Sequence, residues 1–135
     1  MADAEVKRHD TKHLDRHNDY IAVYEVPVTP NSVRFSDGGE AIEDLLYRVP
    51  DTATPHQVAA VIGRAMKEVE HRGCWVASDM HIEYTCCGTD GVFRDRNISI
   101  IARAYLAVDR IDVEEVLAGE PQGHDAPPEH RYPCD

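Results

Sequence analysis

Between residues 55 and 72 the apolar side chains Val58, Val61, Ile62, Ala65, Met66 and Val69 recur at helical spacing, and Arg64, Lys67, Glu68 and Glu70 fill the opposite side. That is the pattern of an amphipathic helix with one face against a core. Its start is also marked. Thr54 can cap, Pro55 suits the first helical position, and Gln57 stands three residues after the cap, so hydroxyl and amide can satisfy each other's backbone donors. Gly73 follows as a left-handed terminator. The spacing predicts a helix over residues 55–72.

Other segments alternate instead. Residues 20–28, YIAVYEVPV, are β-branched and aromatic, and Pro27 suits an edge strand. From Cys74 to Thr85, Met80, Ile82 and Tyr84 alternate with Asp79, His81 and Glu83, which predicts a half-buried strand. Residues 97–108 place Ile98, Ile100, Ala102, Ala104 and Leu106 at every second position, and read as a second strand. A bulged or longer loop between the two would align Ile82 with Ile100, Met80 with Ala102 and Asp79 with Arg103, sorting apolar and polar groups onto separate faces. Residues 41–49 fit both periods. Ile42, Leu45, Leu46 and Val49 make a helical stripe, Leu45, Tyr47 and Val49 an alternating one, and Pro50 biases the choice towards a strand over 44–49. Val113, Val116 and Leu117, followed by Gly119, predict a short helix over 112–118.

The ends lack such patterns. Residues 1–19 carry nine charged groups and three histidines around two sizeable aliphatics, Val6 and Leu14, and read as a charged tail or surface helix. Residues 119–135 hold four of the eight prolines and read as an extended tail. The remaining residues 20–118 form one domain. The expected architecture is a small α+β two-layer sandwich, a mostly antiparallel sheet covered by one principal helix, 55–72, with a short C-terminal helix, 112–118.

Composition narrows the function classes. The chain has 135 residues with 25 acids against 14 bases, a net charge of −11, which opposes phosphate-backbone binding and makes nucleic acid an unexpected direct partner. The acidity is not confined to the ends, since residues 20–118 hold 16 acids and nine bases. No run approaches the roughly 20 apolar residues of a membrane span, and the first ten residues have no signal-peptide core. A cytoplasmic protein with no membrane partner is expected. Its four cysteines, Cys74, Cys86, Cys87 and Cys134, are then expected as thiols. Cys86 and Cys87 with His81 could hold zinc only if the chain turned sharply there.

Chemistry-bearing patterns are sparse. Asp79, His81 and Glu83 at alternate positions would point the same way on a strand, where two could meet a metal or His81 could serve as a general base, with Arg103 pairing Asp79 from the facing strand. A solvated sheet face explains the same four residues without catalysis. His9, His13 and His17 recur every fourth residue, so that on a helix two could grip a transition metal. Trp75, Tyr84 and Tyr105 could stack a ligand but suit a core equally. No phosphate-cradling glycine loop or nucleophile elbow occurs, and no cofactor is expected. The leading expectation is therefore a non-enzymatic interaction or assembly module with a protein partner or a second copy of itself. A small metal-dependent enzyme built on Asp79, His81 and Glu83 is the alternative, and an acidic inhibitor of a nucleic-acid-binding protein is a third reading.

Overall fold

The computed structural model describes residues 5–87 and 91–119, with backbone alone at positions 86, 87, 91 and 92. Strands β1 (Lys7–Leu14), β2 (Tyr20–Thr29) and β3 (Ser32–Ser36) form a meander, followed by helices α1 (Glu40–Tyr47) and α2 (Pro55–His71), strands β4 (Trp75–Val76) and β5 (Ile82–Cys87), and helices α3 (Gly91–Asp109) and α4 (Val113–Gly119). The sheet order is β1-β2-β3-β5-β4 and every pairing is antiparallel. The fold is α+β, with helices packed on one face of the sheet.

Helix α2 forms as its sequence dictates. The Thr54 hydroxyl accepts from the Gln57 amide at 3.1 Å and the Gln57 side-chain oxygen accepts from the Thr54 amide at 2.9 Å. Pro55 opens the helix and Gly73 follows it at φ +85°. Val61, Ala65 and Val69 are buried, each large aliphatic contributing about 1.5–3 kcal/mol relative to exposure.

Four expectations are corrected. Residues 97–108 are not a strand but belong to α3, whose buried positions Asn97, Ile101, Ala104, Tyr105 and Val108 follow the helical period. The alternating reading put Ile98 and Ile100 inside, yet both are only half-buried, and the alanines at 102, 104 and 107 favour a helix. The principal cover of the sheet is accordingly α3, which lies against β1, β2, β3 and β5, whereas α2 packs on α3, α4 and β4. Residues 44–49 are likewise helical: α1 buries Ala41, Ile42 and Leu45 and stops at Tyr47, early enough to satisfy Pro50. The strand predicted from Cys74 to Thr85 is broken between Val76 and Ile82 by a turn in which Ala77 donates to the His81 carbonyl at 2.8 Å and Met80 sits at φ 69°.

The fourth correction concerns residues 1–19. Residues 7–14 are an edge strand, with Lys7 opposite Glu25 and His9 opposite Val23, so backbone pairing orders a segment whose one aliphatic side chain is the exposed Leu14. The turn after it is tied down twice. The Asp15 carboxylate accepts from the amides of His17 and Asp19 at 2.8 and 3.0 Å, and His17 Nε2 lies 2.8 Å from Asp44 Oδ1 on α1. Of the expected C-terminal tail 119–135, Gly119 ends α4 and the rest lies outside the described residues, as do residues 88–90 of the expected loop.

One buried acid joins the layers. Glu25 of β2 is 5% exposed, and its Oε1 lies 2.8 Å from His9 Nε2 of β1 and 2.9 Å from Arg94 Nε of α3. Burial alone would raise the Glu25 carboxyl, but the hydrogen bonds from His9 and Arg94 hold it below its ordinary value of 4.5. A carboxyl depressed in the folded state contributes stability above that value, and the contribution is lost as pH falls through the folded-state titration. Glu25→Gln is expected to cost roughly 1.5–3 kcal/mol at neutral pH, the range for hydrogen bonds to charged groups. Urea unfolding across pH checks this, the parent losing its advantage over the variant below pH 4.5.

Candidate functional site

The face of the sheet away from the helices is open. Register puts Tyr24 opposite Ser36, Ser36 opposite Glu83, and Arg8 opposite Tyr24 on that face. Tyr24, Val26, Arg34, Ser36, Gly38, Glu40, Asp79, His81 and Glu83 line a cavity of about 390 Å³ there, within the size range of small-ligand sites.

Asp79, His81 and Glu83 meet at this cavity. Among the described residues they are the one group of three metal-type side chains with ligand atoms all within 4.8 Å of one another. His81 Nδ1 is 3.8 Å from Asp79 Oδ2, and Glu83 Oε1 is 3.8 Å from Arg34 Nε. The route differs from the expected one. Asp79 and His81 lie on the turn before β5, and only Glu83 is on a strand. One imidazole and two carboxylates suit zinc or manganese in donor type, and modest side-chain rotation would close the set.

The loop between β3 and α1 shapes this corner. Gly38 and Gly39 both have positive φ, 76° and 85°. A Cβ on Gly39 would stand 2.7 Å from His81 Cδ2, and one on Gly38 would stand 2.9 Å from Tyr24 Cε2. Two aromatic rings of the cavity therefore lie on bare glycine backbone. Asp37 fixes the loop: its Oδ1 accepts from the amides of Gly39 and Ile82 at 2.8 and 2.9 Å, and its Oδ2 from Ala41 at 2.9 Å. Burial pushes the Asp37 carboxyl up, and the three amides, with His81 nearby, oppose it. Every hydrogen-bond partner is a donor, so a proton on either oxygen would find no acceptor, and the cradle fits the ionised form.

The remaining expected residues are dispersed. Arg103 is on α3, in a groove with α2, and does not reach Asp79. His9 and His13 are on an edge strand and His17 is in the turn after it, so helical stacking does not arise. His9 is engaged with Glu25 and His17 with Asp44. The Asp44 carboxylate raises the His17 imidazole above its ordinary value. The side chains of Cys86 and Cys87 lie outside the described residues. Cys74 is buried, and burial raises its thiol to about 12, which makes it a poor nucleophile. Tyr105 is in the core, while Trp75 is 41% exposed at the β4 edge with its ring 6.2 Å from that of Tyr84.

Sequence reasoning missed Tyr24, Val26, Arg34, Ser36 and Glu40 as cavity residues. A signal for the first two was present: the outward positions Tyr20, Ala22, Tyr24 and Val26 carry no charge, which a strand with one wet face does not require.

No family model, curated protein or solved structure matches this chain. No helix among the described residues is long and apolar enough to cross a membrane.

Asp37→Ala would leave the Ala41 and Ile82 amides buried without an acceptor, at about 1–3 kcal/mol each. The expected outcome is a loss of several kcal/mol by denaturant titration, with Asp37→Asn intermediate because its amide group turns a donor towards a donor.

Proposed function

We propose that the protein is a non-enzymatic interaction module that self-associates through the open face of its sheet. The observation that carries this reading is the outward row of β2. Tyr20, Ala22, Tyr24 and Val26 occupy alternate positions facing away from the helices, and Tyr20 is 61% exposed. A solvated face of an antiparallel sheet is ordinarily polar. Ala22 in the middle of the row is buried and Tyr24 and Val26 are partly exposed, but an aromatic and aliphatic row that still reaches water at Tyr20, Tyr24 and Val26 marks a surface that gains by being covered.

The rim supports a second copy as the partner. Arg8 and Asp10 flank the row from β1, and Arg34 and Glu83 flank it from the other side. A twofold contact needs a self-complementary patch, and a rim of mixed sign lets acid meet base across the axis. The aromatic centre with a polar border has the anatomy of a protein interface.

A second reading is favoured by the convergence of Asp79, His81 and Glu83: a metal-dependent enzyme using the cavity beside the same row. It predicts stoichiometric zinc or manganese binding by titration calorimetry. Binding would weaken at least tenfold in His81→Ala, and also in Gly39→Ala, whose Cβ displaces the imidazole. Equal affinity in parent and His81→Ala would remove that reading.

For the interaction module, light scattering after size-exclusion chromatography is expected to give a dimer mass that dissociates on dilution. Tyr24→Asp with Val26→Asp should give a monomer with an unchanged far-ultraviolet spectrum. A parent that is monomeric at every concentration would overturn the self-association.

A further inference from the structure

On the helical side of the molecule the charge reverses. A groove of about 380 Å³ between α2 and α3 is lined by Arg64, Arg72, Arg103 and Arg110, with Glu68 as its one acid and Leu106, Ala107 and Ile111 as its apolar wall. Four guanidinium groups against one carboxylate leave a local excess of three positive charges in a chain whose net charge is −11. The two helices contribute matched stripes. Arg64, Glu68 and Arg72 are successive (i, i+4) neighbours on α2. Arg103, Leu106 and Ala107 at the end of α3 share one face with Arg110, which stands just past the helix with its amide still donating to the Leu106 carbonyl at 3.0 Å, and the seven-residue step from Arg103 to Arg110 spans about 10.5 Å at helical rise.

The arginines are not equivalent. Arg64 Nε lies 3.1 Å from Glu68 Oε2, and Arg72 Nη1 lies 2.9 Å from Glu68 Oε1 and 3.0 Å from the Glu68 carbonyl. Glu68 thus holds two guanidinium groups in fixed orientation. The side chains of Arg103 and Arg110 are exposed and, among the described residues, make no ion pair or hydrogen bond. Unpaired like charges gathered in a concavity repel one another and raise the local concentration of anions. All four bases are arginine, whose planar fork matches a phosphate or carboxylate with two parallel hydrogen bonds.

We propose that this α2–α3 groove is a binding site for a small organic phosphate, with the phosphoryl group held between Arg103 and Arg110 and the organic body resting on Leu106, Ala107 and Ile111. The occupant is a small molecule rather than a nucleic acid because four arginines in one groove offer few phosphate contacts and the chain as a whole, at a net charge of −11, opposes a polyanion. A volume of about 380 Å³ accommodates a phosphate together with a ring or short chain. The site lies on the helix layer and stands independently of the sheet-face contact.

The test uses the full chain and phenyl phosphate as probe, with titration calorimetry and amide chemical shifts at constant ionic strength, beside inorganic phosphate and phenol. Phenyl phosphate is expected to bind with shifts confined to α2 and the end of α3, inorganic phosphate more weakly, and phenol not at all. Arg103→Gln with Arg110→Gln should weaken phenyl phosphate about tenfold or more, the loss of charge-assisted hydrogen bonds, with an unchanged thermal unfolding midpoint because neither side chain has a partner to lose. Arg103→Lys with Arg110→Lys keeps the charge but not the fork and should fall between. No saturable binding by the parent, or equal affinity in the glutamine variant, would overturn the site. Inorganic phosphate binding as tightly as phenyl phosphate would overturn the organic-ester class.

Discussion

The carboxylate of Asp37 accepts from the amides of Gly39, Ala41 and Ile82, and through those three bonds the end of β3, the first turn of α1 and the start of β5 become one rigid corner. The constraint has two consequences. Helix α1 begins from a left-handed glycine that has no side chain to cap it, and Asp37 supplies the missing acceptor from two residues upstream. The same carboxylate holds Ile82 against β3, and so sets where the adjoining His81 and Glu83 emerge. A buried carboxylate with every contact a donor is costly to leave half-satisfied, which ties the geometry of the open-face cavity to the integrity of the fold.

The layers are joined by a second buried acid. Glu25 lies in an otherwise apolar inward row of β2 and draws in His9 from the edge strand and Arg94 from α3. Edge strand β1 has little to bury, so its place depends on backbone pairing, on this contact and on the tether between His17 and Asp44. The polar sequence of β1, KRHDTKHL, also protects the free edge of the sheet from further strand addition, since charged residues on an edge disfavour flat pairing.

Charge is partitioned between the two faces of the molecule. The sheet face mixes both signs around an apolar row, and the α2–α3 groove concentrates arginine. An overall net charge of −11 conceals this, because most of the acids are distributed over the surface while four of the bases converge on one groove. Helical spacing brings Arg64 near Arg72 and Arg103 near Arg110. Only the packing of α2 on α3 brings the pairs together.

What the chain order determined by itself was local and strongly periodic. The capped helix α2 followed from Thr54, Pro55, Gln57 and one apolar stripe, β2 from its β-branched run, and α4 from its short period ending at Gly119, whereas Asp79, His81 and Glu83 meet through the turn before β5 and not through the strand alternation their spacing suggested. Tertiary structure decided the rest. Residues 97–108 support a period of two through Ile98, Ile100 and Leu106 and a period of 3.6 through Ile101, Ala104, Tyr105 and Val108, and the longer stripe wins because it fits the sheet surface that only the assembled meander provides. Residues 41–49 were ambiguous for the same reason. Residues 7–14 carry no apolar periodicity, Leu14 being their one aliphatic, since an edge strand is specified by the donors and acceptors of its neighbour. The role of Asp37 was invisible because it depends on an amide 45 residues away, and distances of that kind exist only once the chain has folded.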